Sequence, residues 1–228
     1  KGVPPLKLRH ALLVFVALAW PVSQAGAQLT VQILKGMAES VPIAIVPLAW
    51  DAGEVPYDVA ATVQADLERS GRFRPLPRSQ LVETPHTASE VDVADWRMLK
   101  VDYVLVGKLS PAADGRYELR YELVSVANGE RLLGTVMPVD AKALKRASHR
   151  VSDAVYEKIL GVRGAFATRI AYVAVEGPVT KRNYRLIVSD ADGANEHVVF
   201  GSPDPIMSPA WSPDGRSIAY VSFHTGLA

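Results

Sequence analysis

Hydrophobic residues follow three different spacings along this chain of 228 residues. Ala11 to Trp20 is one unbroken apolar run. From Leu29 to Leu160, alternating stretches are mixed with stretches that repeat every three or four residues. Beyond residue 165 only strand-like spacing remains.

The middle stretch reads as α/β. Leu29-Thr30-Val31-Gln32-Ile33-Leu34 alternates and predicts a short strand, while Pro42 to Leu48 is continuously apolar, as in a strand covered on both faces. Val59, Val63 and Leu67, with Ala60 and Ala61 beside them, give a helical stripe, and Gly71 stands where a helix-ending glycine belongs. Phe73-Arg74-Pro75-Leu76 predicts a short edge strand, because proline cannot donate to a central ladder. Residues 77–92 are polar and turn-rich, hence loop, and Ala94 to Leu99 a short helix leading to a strand at Tyr103–Gly107.

Asp114-Gly115 and Asn128-Gly129 then predict two tight hairpins of the two-residue kind. Between them Tyr117, Leu119, Tyr121 and Leu123 share one face. Arg116, Glu118, Arg120 and Glu122 share the other, which reads as wet. A long helix follows from about Asp140 to Leu160, with Leu144, Ala147, Val151, Ala154, Val155 and Ile159 as its stripe and Gly161 at its end. Helices thus cover one face of a sheet in a two-layer α/β (α+β) domain.

After Gly161-Val162-Arg163-Gly164 come strands at 169–174, 184–188 and 197–200, with no helix between them. Asp190-Ala191-Asp192-Gly193 and Ser202-Pro203-Asp204-Pro205 are their turns. Ser208-Pro209-Ala210-Trp211-Ser212-Pro213-Asp214-Gly215 and the strand Ile218 to Val221 form one more hairpin: Pro213 presets φ and Gly215 supplies the positive φ. Ile170-Ala171-Tyr172-Val173 recurs as Ile218-Ala219-Tyr220-Val221, 48 residues later. A propeller blade of four strands repeats at roughly 40–50 residues. The second part is therefore expected to be the first blade, and the start of the second, of an all-β propeller left incomplete here. A ring needs several blades, so the sequence reads as the front of something longer.

The opening run is too short for a membrane span, which needs roughly 20 residues. Lys1, Lys7 and Arg9 precede it, Pro21 ends it, and Ala25-Gly26-Ala27 is the small-x-small pattern of a cleaved signal peptide. Cleavage is expected after Ala27, with Ala25 as second choice. The expected organisation is signal peptide 1–27, α/β domain 28–161, linker 162–168 and truncated propeller 169–228.

The whole chain carries a formal charge of +1, but three of its cations sit before Gln28 with no acidic residue among them, so the remainder carries −2. That balance gives no footprint for nucleic acid or anionic lipid. The absence of cysteine removes disulfides, thiolate metal sites, cysteine nucleophiles and a cysteine-linked lipid anchor together. Export without disulfides favours the periplasm.

No Gly-x-Ser-x-Gly elbow and no phosphate loop occur. Asp190-Ala191-Asp192-Gly193 starts like a calcium loop and does not continue as one, so it reads as a turn. His10, His86, His149, His197 and His224 are scattered, with His149 beside Arg146 and Arg150 on an expected solvated helix face. No catalytic residue, cofactor or metal is expected. Trp50, Trp96 and Trp211 read as core anchors before contact residues, Trp211 between blades.

Certain stretches carry a family resemblance. They are Val155-Tyr156-Glu157-Lys158-Ile159-Leu160-Gly161, Gly164-Ala165-Phe166-Ala167-Thr168-Arg169-Ile170-Ala171-Tyr172-Val173, Val188 to Gly193, and Pro205 to Trp211. In this order, behind a signal peptide, they resemble the TolB family of the Gram-negative Tol-Pal system. The resemblance implies a periplasmic, non-enzymatic coupling protein, supporting outer-membrane integrity and constriction during cell division. Its propeller would bind the lipoprotein Pal. Its mature N-terminal segment would engage TolA, here Gln28, Leu29, Thr30, Val31, Gln32, Ile33, Leu34 and Lys35. That strand reads equally well as an edge strand of its own domain. The alternative is an enzyme, in which such a propeller precedes a prolyl-peptidase-type hydrolase domain.

Overall fold

The computed structural model describes Gly2, residues 40–112 and residues 115–224. The expected signal peptide apart from Gly2, the expected cleavage positions Ala25 and Ala27, the expected strand Gln28 to Lys35 and Asp114 all lie outside the described residues.

The first part is built on a five-stranded sheet. Its strands are β1 (Val41–Ile45), β2 (Phe73–Pro75), β3 (Tyr103–Pro111), β4 (Tyr117–Ser125) and β5 (Arg131–Val139), in the order β2-β1-β3-β4-β5. β1 runs parallel to β2 and β3, and β3-β4-β5 is an antiparallel meander. Helices α1 (Val59–Arg69), α2 (Val93–Met98) and α3 (Leu144–Leu160) complete it.

α1 and α3 pack side by side on one face. Val59, Val63 and Leu67 meet Val151 and Val155 over Ile43, Ile45, Leu105, Leu119 and Leu123. Each such side chain, fully buried, contributes roughly 1.5–3 kcal/mol. α2 and its flanking loops cover the parallel half of the other face, where Trp96, with none of its surface exposed, packs on Ala44, Val46, Val104 and Val106. Two covered faces explain why β1 is apolar at every position while β4 alternates.

Several details differ from the sequence reading. Asn128-Gly129 does not make a two-residue turn. Ser125 and Glu130 close a four-residue loop through Ser125 N–H to Glu130 O (2.9 Å) and Gly129 N–H to Ser125 O (2.8 Å), with Gly129 at φ +72°. Val126 is buried and holds that extra length. α3 starts at Leu144 because Ala141–Ala143 winds as a 3₁₀ turn. Ala61 faces outward, unlike Ala60. The 77–92 segment contains two further 3₁₀ turns, Arg78–Gln80 and Ala88–Glu90. Glu122 is not on a wet face: its carboxylate accepts Ala88 N–H at 2.6 Å and pairs with Arg131 at 3.0 Å, pinning the second 3₁₀ turn against the sheet.

The second part comprises β6 (Arg169–Glu176), β7 (Asn183–Asp190) and β8 (His197–Ser202) in one antiparallel sheet, then the hairpin of β9 (Ile206–Trp211) and β10 (Ile218–Ser222). The two Ile-Ala-Tyr-Val words fall on β6 and β10, as the repeat requires. The architecture is a mixed α/β part followed by separate sheets that suit an incomplete propeller.

Candidate functional site: the joint between the α/β part and the first propeller sheet

The residues predicted to bind a partner lie outside the described ones, so what the structure offers is the way its two parts are joined. α3 ends at Gly161, and the chain turns back along the helix instead of leaving it. The Asp153 carboxylate, about two turns before the end of α3, accepts Phe166 N–H at 2.7 Å and Ala167 N–H at 3.1 Å. Phe166 stacks edge-on against Tyr156 with ring centroids 5.5 Å apart, and Tyr156 meets Phe73 of β2 at 5.8 Å. The segment 162–168, expected as a linker, is thus strapped to the helix.

A second set of contacts reaches further. Asp66 of α1, His149 and Ser152 of α3 are all buried, with side chains 2% exposed or less. His149 Nδ1 lies 2.7 Å from Asp66 Oδ2, Ser152 Oγ donates to the same oxygen at 2.7 Å, and Arg69 pairs with Asp66 Oδ1 at 2.6 Å. On the other side of the imidazole stands Asp192, from the β7–β8 turn. Its Oδ2 is 3.7 Å from His149 Nε2 and 2.8 Å from Lys145 Nζ.

His149 is therefore not on a solvated face. Its helical neighbours Arg146 and Arg150 do point outward, and the stripe of Leu144, Ala147, Val151 and Val155 is apolar, so hydrophobic spacing alone places the histidine outside. The signal that could have found it is the set of small polar residues Ser148 and Ser152 on the same side, beside an aspartate in the stripe of α1.

The hydrogen bond that His149 donates to Asp66, opposed by burial and by the Lys145 charge and reinforced by the charges of both aspartates, raises the affinity of His149 for its proton. Burial of Asp192 works against its charge. The Lys145 hydrogen bond, the Ala194 N–H and the charges of Lys145 and His149 outweigh it and hold the carboxyl below its usual range. Ser152 donates to Asp66 and to Ser148 O, not to the imidazole, so no nucleophile–base pair exists here.

The two propeller sheets meet at a cavity of about 370 Å³ lined by Leu186, Val188, Ile218 and Tyr220. Arg169 closes one side, stacking 4.9 Å over the Trp211 ring and donating to Gly215 O at 3.0 Å. Trp211 does pack between sheets. Trp96 is a core residue, and half-buried Trp50 packs on Tyr117 at 5.8 Å. Among the described residues no group of three or more histidines and carboxylates is placed to hold a metal ion.

The same order of parts is found in known proteins. Residues 29–132 match the TolB amino-terminal domain and residues 156–228 the TolB beta propeller domain. The Tol-Pal system protein TolB of Xanthomonas campestris pv. campestris (strain B100) is 47% identical over 226 residues, which is 97% of this chain and 51% of that protein. The chain belongs to the TolB family. The Xanthomonas oryzae pv. oryzae (strain PXO99A) protein of the same name is 46% identical with the same coverage. The crystal structure of TolB from Acinetobacter baumannii superimposes with a TM-score of 0.71 at 39% identity, over 82% of this chain and 45% of that one. This TolB-family chain spans about half the length of the curated relatives it matches. The relatives support the Tol-Pal reading and give nothing to the hydrolase alternative.

Proposed function

We propose that this chain is the front half of a periplasmic, non-enzymatic component of a Tol-Pal system, coupling an outer-membrane partner to an inner-membrane one. The observation that carries the reading is colinearity: both TolB domains match in order, and one relative named for the Tol-Pal system aligns with 97% of the chain. Residues 1–27 would be removed on export, after Ala27 or Ala25. The remainder would divide into an α/β domain 28–161, a joint 162–168 and a propeller beginning at 169. The propeller would take Pal, and Gln28 to Lys35 would engage TolA by adding a strand to a sheet edge. No helix among the described residues is long and apolar enough to cross a membrane. The exposed apolar side chains Val198, Val199, Met207 and Val221 lie on the propeller strands, where neighbouring blades would cover them.

The test is complementation. The complete gene is placed in a Gram-negative strain lacking its TolB, and leakage of periplasmic enzyme and chaining of dividing cells are scored. Restoration of both is expected, and its loss on deleting residues 28–35 while the protein is still exported. A strain that stays leaky with correctly exported protein would refute the Tol-Pal role.

A further inference from the structure

The buried polar chain from α1 to the β7–β8 turn calls for a role, because nothing in the packing of the α/β core requires it. An ordinary two-helix contact of this size is closed by apolar side chains, as Leu67, Val151 and Val155 show a turn away. At Asp66, His149 and Ser152 the interface is polar instead, and it continues outward to a carboxylate on the propeller side. We propose that Asp66, His149 and Asp192 form a proton-operated latch, in which an imidazolium between two carboxylates holds the first propeller sheet against α3.

Every charged group that faces His149 is accounted for. Asp66, on α1, is compensated in part by Arg69, which is half exposed. Asp192, on the β7–β8 turn, is shared with Lys145 of α3. Two carboxylates thus face the imidazolium and the Lys145 ammonium at this contact, with the Arg69 guanidinium on the other oxygen of Asp66. Removal of the imidazole proton leaves both carboxylates facing a neutral ring from which only one nitrogen can donate. The Asp66 side keeps the Nδ1–H bond at 2.7 Å, so the loss falls on the Asp192 side, where Nε2 at 3.7 Å makes no hydrogen bond. The helix–helix contact therefore survives deprotonation, while the helix–propeller contact retains only Lys145. The 190–193 turn is itself well formed, with Gly193 N–H on Asp190 O at 2.9 Å and Ala194 N–H on Asp192 Oδ1 at 3.0 Å. These bonds tie the turn to its own sheet. The geometry acts at the angle between the two parts and not inside either of them. It operates whichever partners the protein has.

The complete exported protein is the material for the test. This chain has no cysteine of its own, and Met98→Cys with Val179→Cys puts spin labels on exposed residues of the α/β part and of the β6–β7 loop. Pulsed electron–electron distance measurements are made from pH 5 to pH 9, alongside nuclear magnetic resonance titration of the His149 ring. A single narrow distance distribution is expected at low pH, broadening with the same midpoint as the ring titration. Asp192→Asn should give the broad distribution at every pH while His149 still titrates. His149→Gln should do the same, and should its core not fold, the Asp192→Asn variant alone decides. A distribution that stays narrow through the His149 titration, one that Asp192→Asn leaves unchanged, or a ring that does not titrate between pH 5 and pH 9, overturns the latch.

Discussion

Gly164→Ala is the substitution for which the structure makes its least intuitive prediction. Replacing glycine by alanine in an ordered loop ordinarily stabilises a protein by about 0.4–1 kcal/mol, because the unfolded chain loses freedom. Here the added methyl group would overlap Asp153 Oδ1 and lie 2.8 Å from Asp153 Cα. The α3 backbone cannot retreat, since Ser152 is fastened to Asp66 and Val151 and Val155 are seated in the core. The joint must move instead, and it carries the Phe166 and Ala167 N–H groups away from the Asp153 carboxylate. A hydrogen bond to a charged group contributes about 1.5–3 kcal/mol. With one or both lost and the unfolded-state gain subtracted, the net destabilisation comes to about 0.5–5.5 kcal/mol, opposite in sign to the ordinary expectation. Urea unfolding gives the total, and hydrogen exchange at Phe166 and Ala167 gives its location. In an Asp153→Ala background the two amides have already lost their acceptor, so most of the penalty should vanish. Wild-type stability in Gly164→Ala, unchanged protection of those amides, or a full penalty in the Asp153→Ala background would each refute the argument.

Asp66→Ala leaves His149 buried without its acceptor, with Ser152 keeping Ser148 O alone, and should cost about 3–5 kcal/mol in urea unfolding, against at most about 1 kcal/mol for a surface carboxylate such as Glu118. The proton affinity of His149 is raised in the folded state, so its contribution is fully present below about pH 6.5, its unfolded value, and is lost as pH climbs through the folded value. The difference in unfolding free energy between wild type and His149→Gln should therefore shrink from pH 6 to pH 9, and a constant difference would contradict the assignment. The lowered carboxyl of Asp192 acts in the opposite direction, with stability lost as pH falls into the acid range. Arg169→Ala removes an exposed cation–π contact and one hydrogen bond, so overall stability should fall by only about 1 kcal/mol while amide exchange accelerates in β9 and β10.

Most of this fold is legible in spacing because its main elements obey a single hydrophobic period. β4 could be assigned to its faces residue by residue as far as Tyr121, and the stripe of α1 through Val59, Val63 and Leu67 is the one observed. The polar side chains that were misplaced share one cause, which is that their partners lie far away in sequence. Glu122 alternates correctly with Tyr121 yet is covered by a loop 34 residues earlier. His149 meets Asp66 across 83 residues. Asp192, in a stretch that by local chemistry is only a turn, spans the joint to Lys145. A hydrophobic period reports which side of an element faces a core. It carries no information on which polar group on that side has a partner.

The 48-residue repeat also explains why the joint is built as it is. In its second copy the Ile-Ala-Tyr-Val strand, β10, is paired with the strand before it, β9, through Ile218–Trp211 and Ala219–Ala210. The same offset applied to the first copy puts the counterpart of β9 at residues 158–163, which are occupied by the last turn of α3 and the start of the joint. The α/β part thus stands where the repeat would otherwise have supplied a strand. β6 pairs with β7 alone among the described residues, and the residues leading into it, Phe166 and Ala167, are held by Asp153 of the helix. A strand located by a neighbouring strand has its register fixed by a ladder of backbone bonds. One located by a helix needs discrete anchors, which here are Asp153 on the incoming backbone, Asp192 on the far turn and Arg169 toward the next sheet. Discrete side-chain anchors can be released one at a time, as a ladder cannot, and that leaves the angle between the two parts open to control by a single proton on His149.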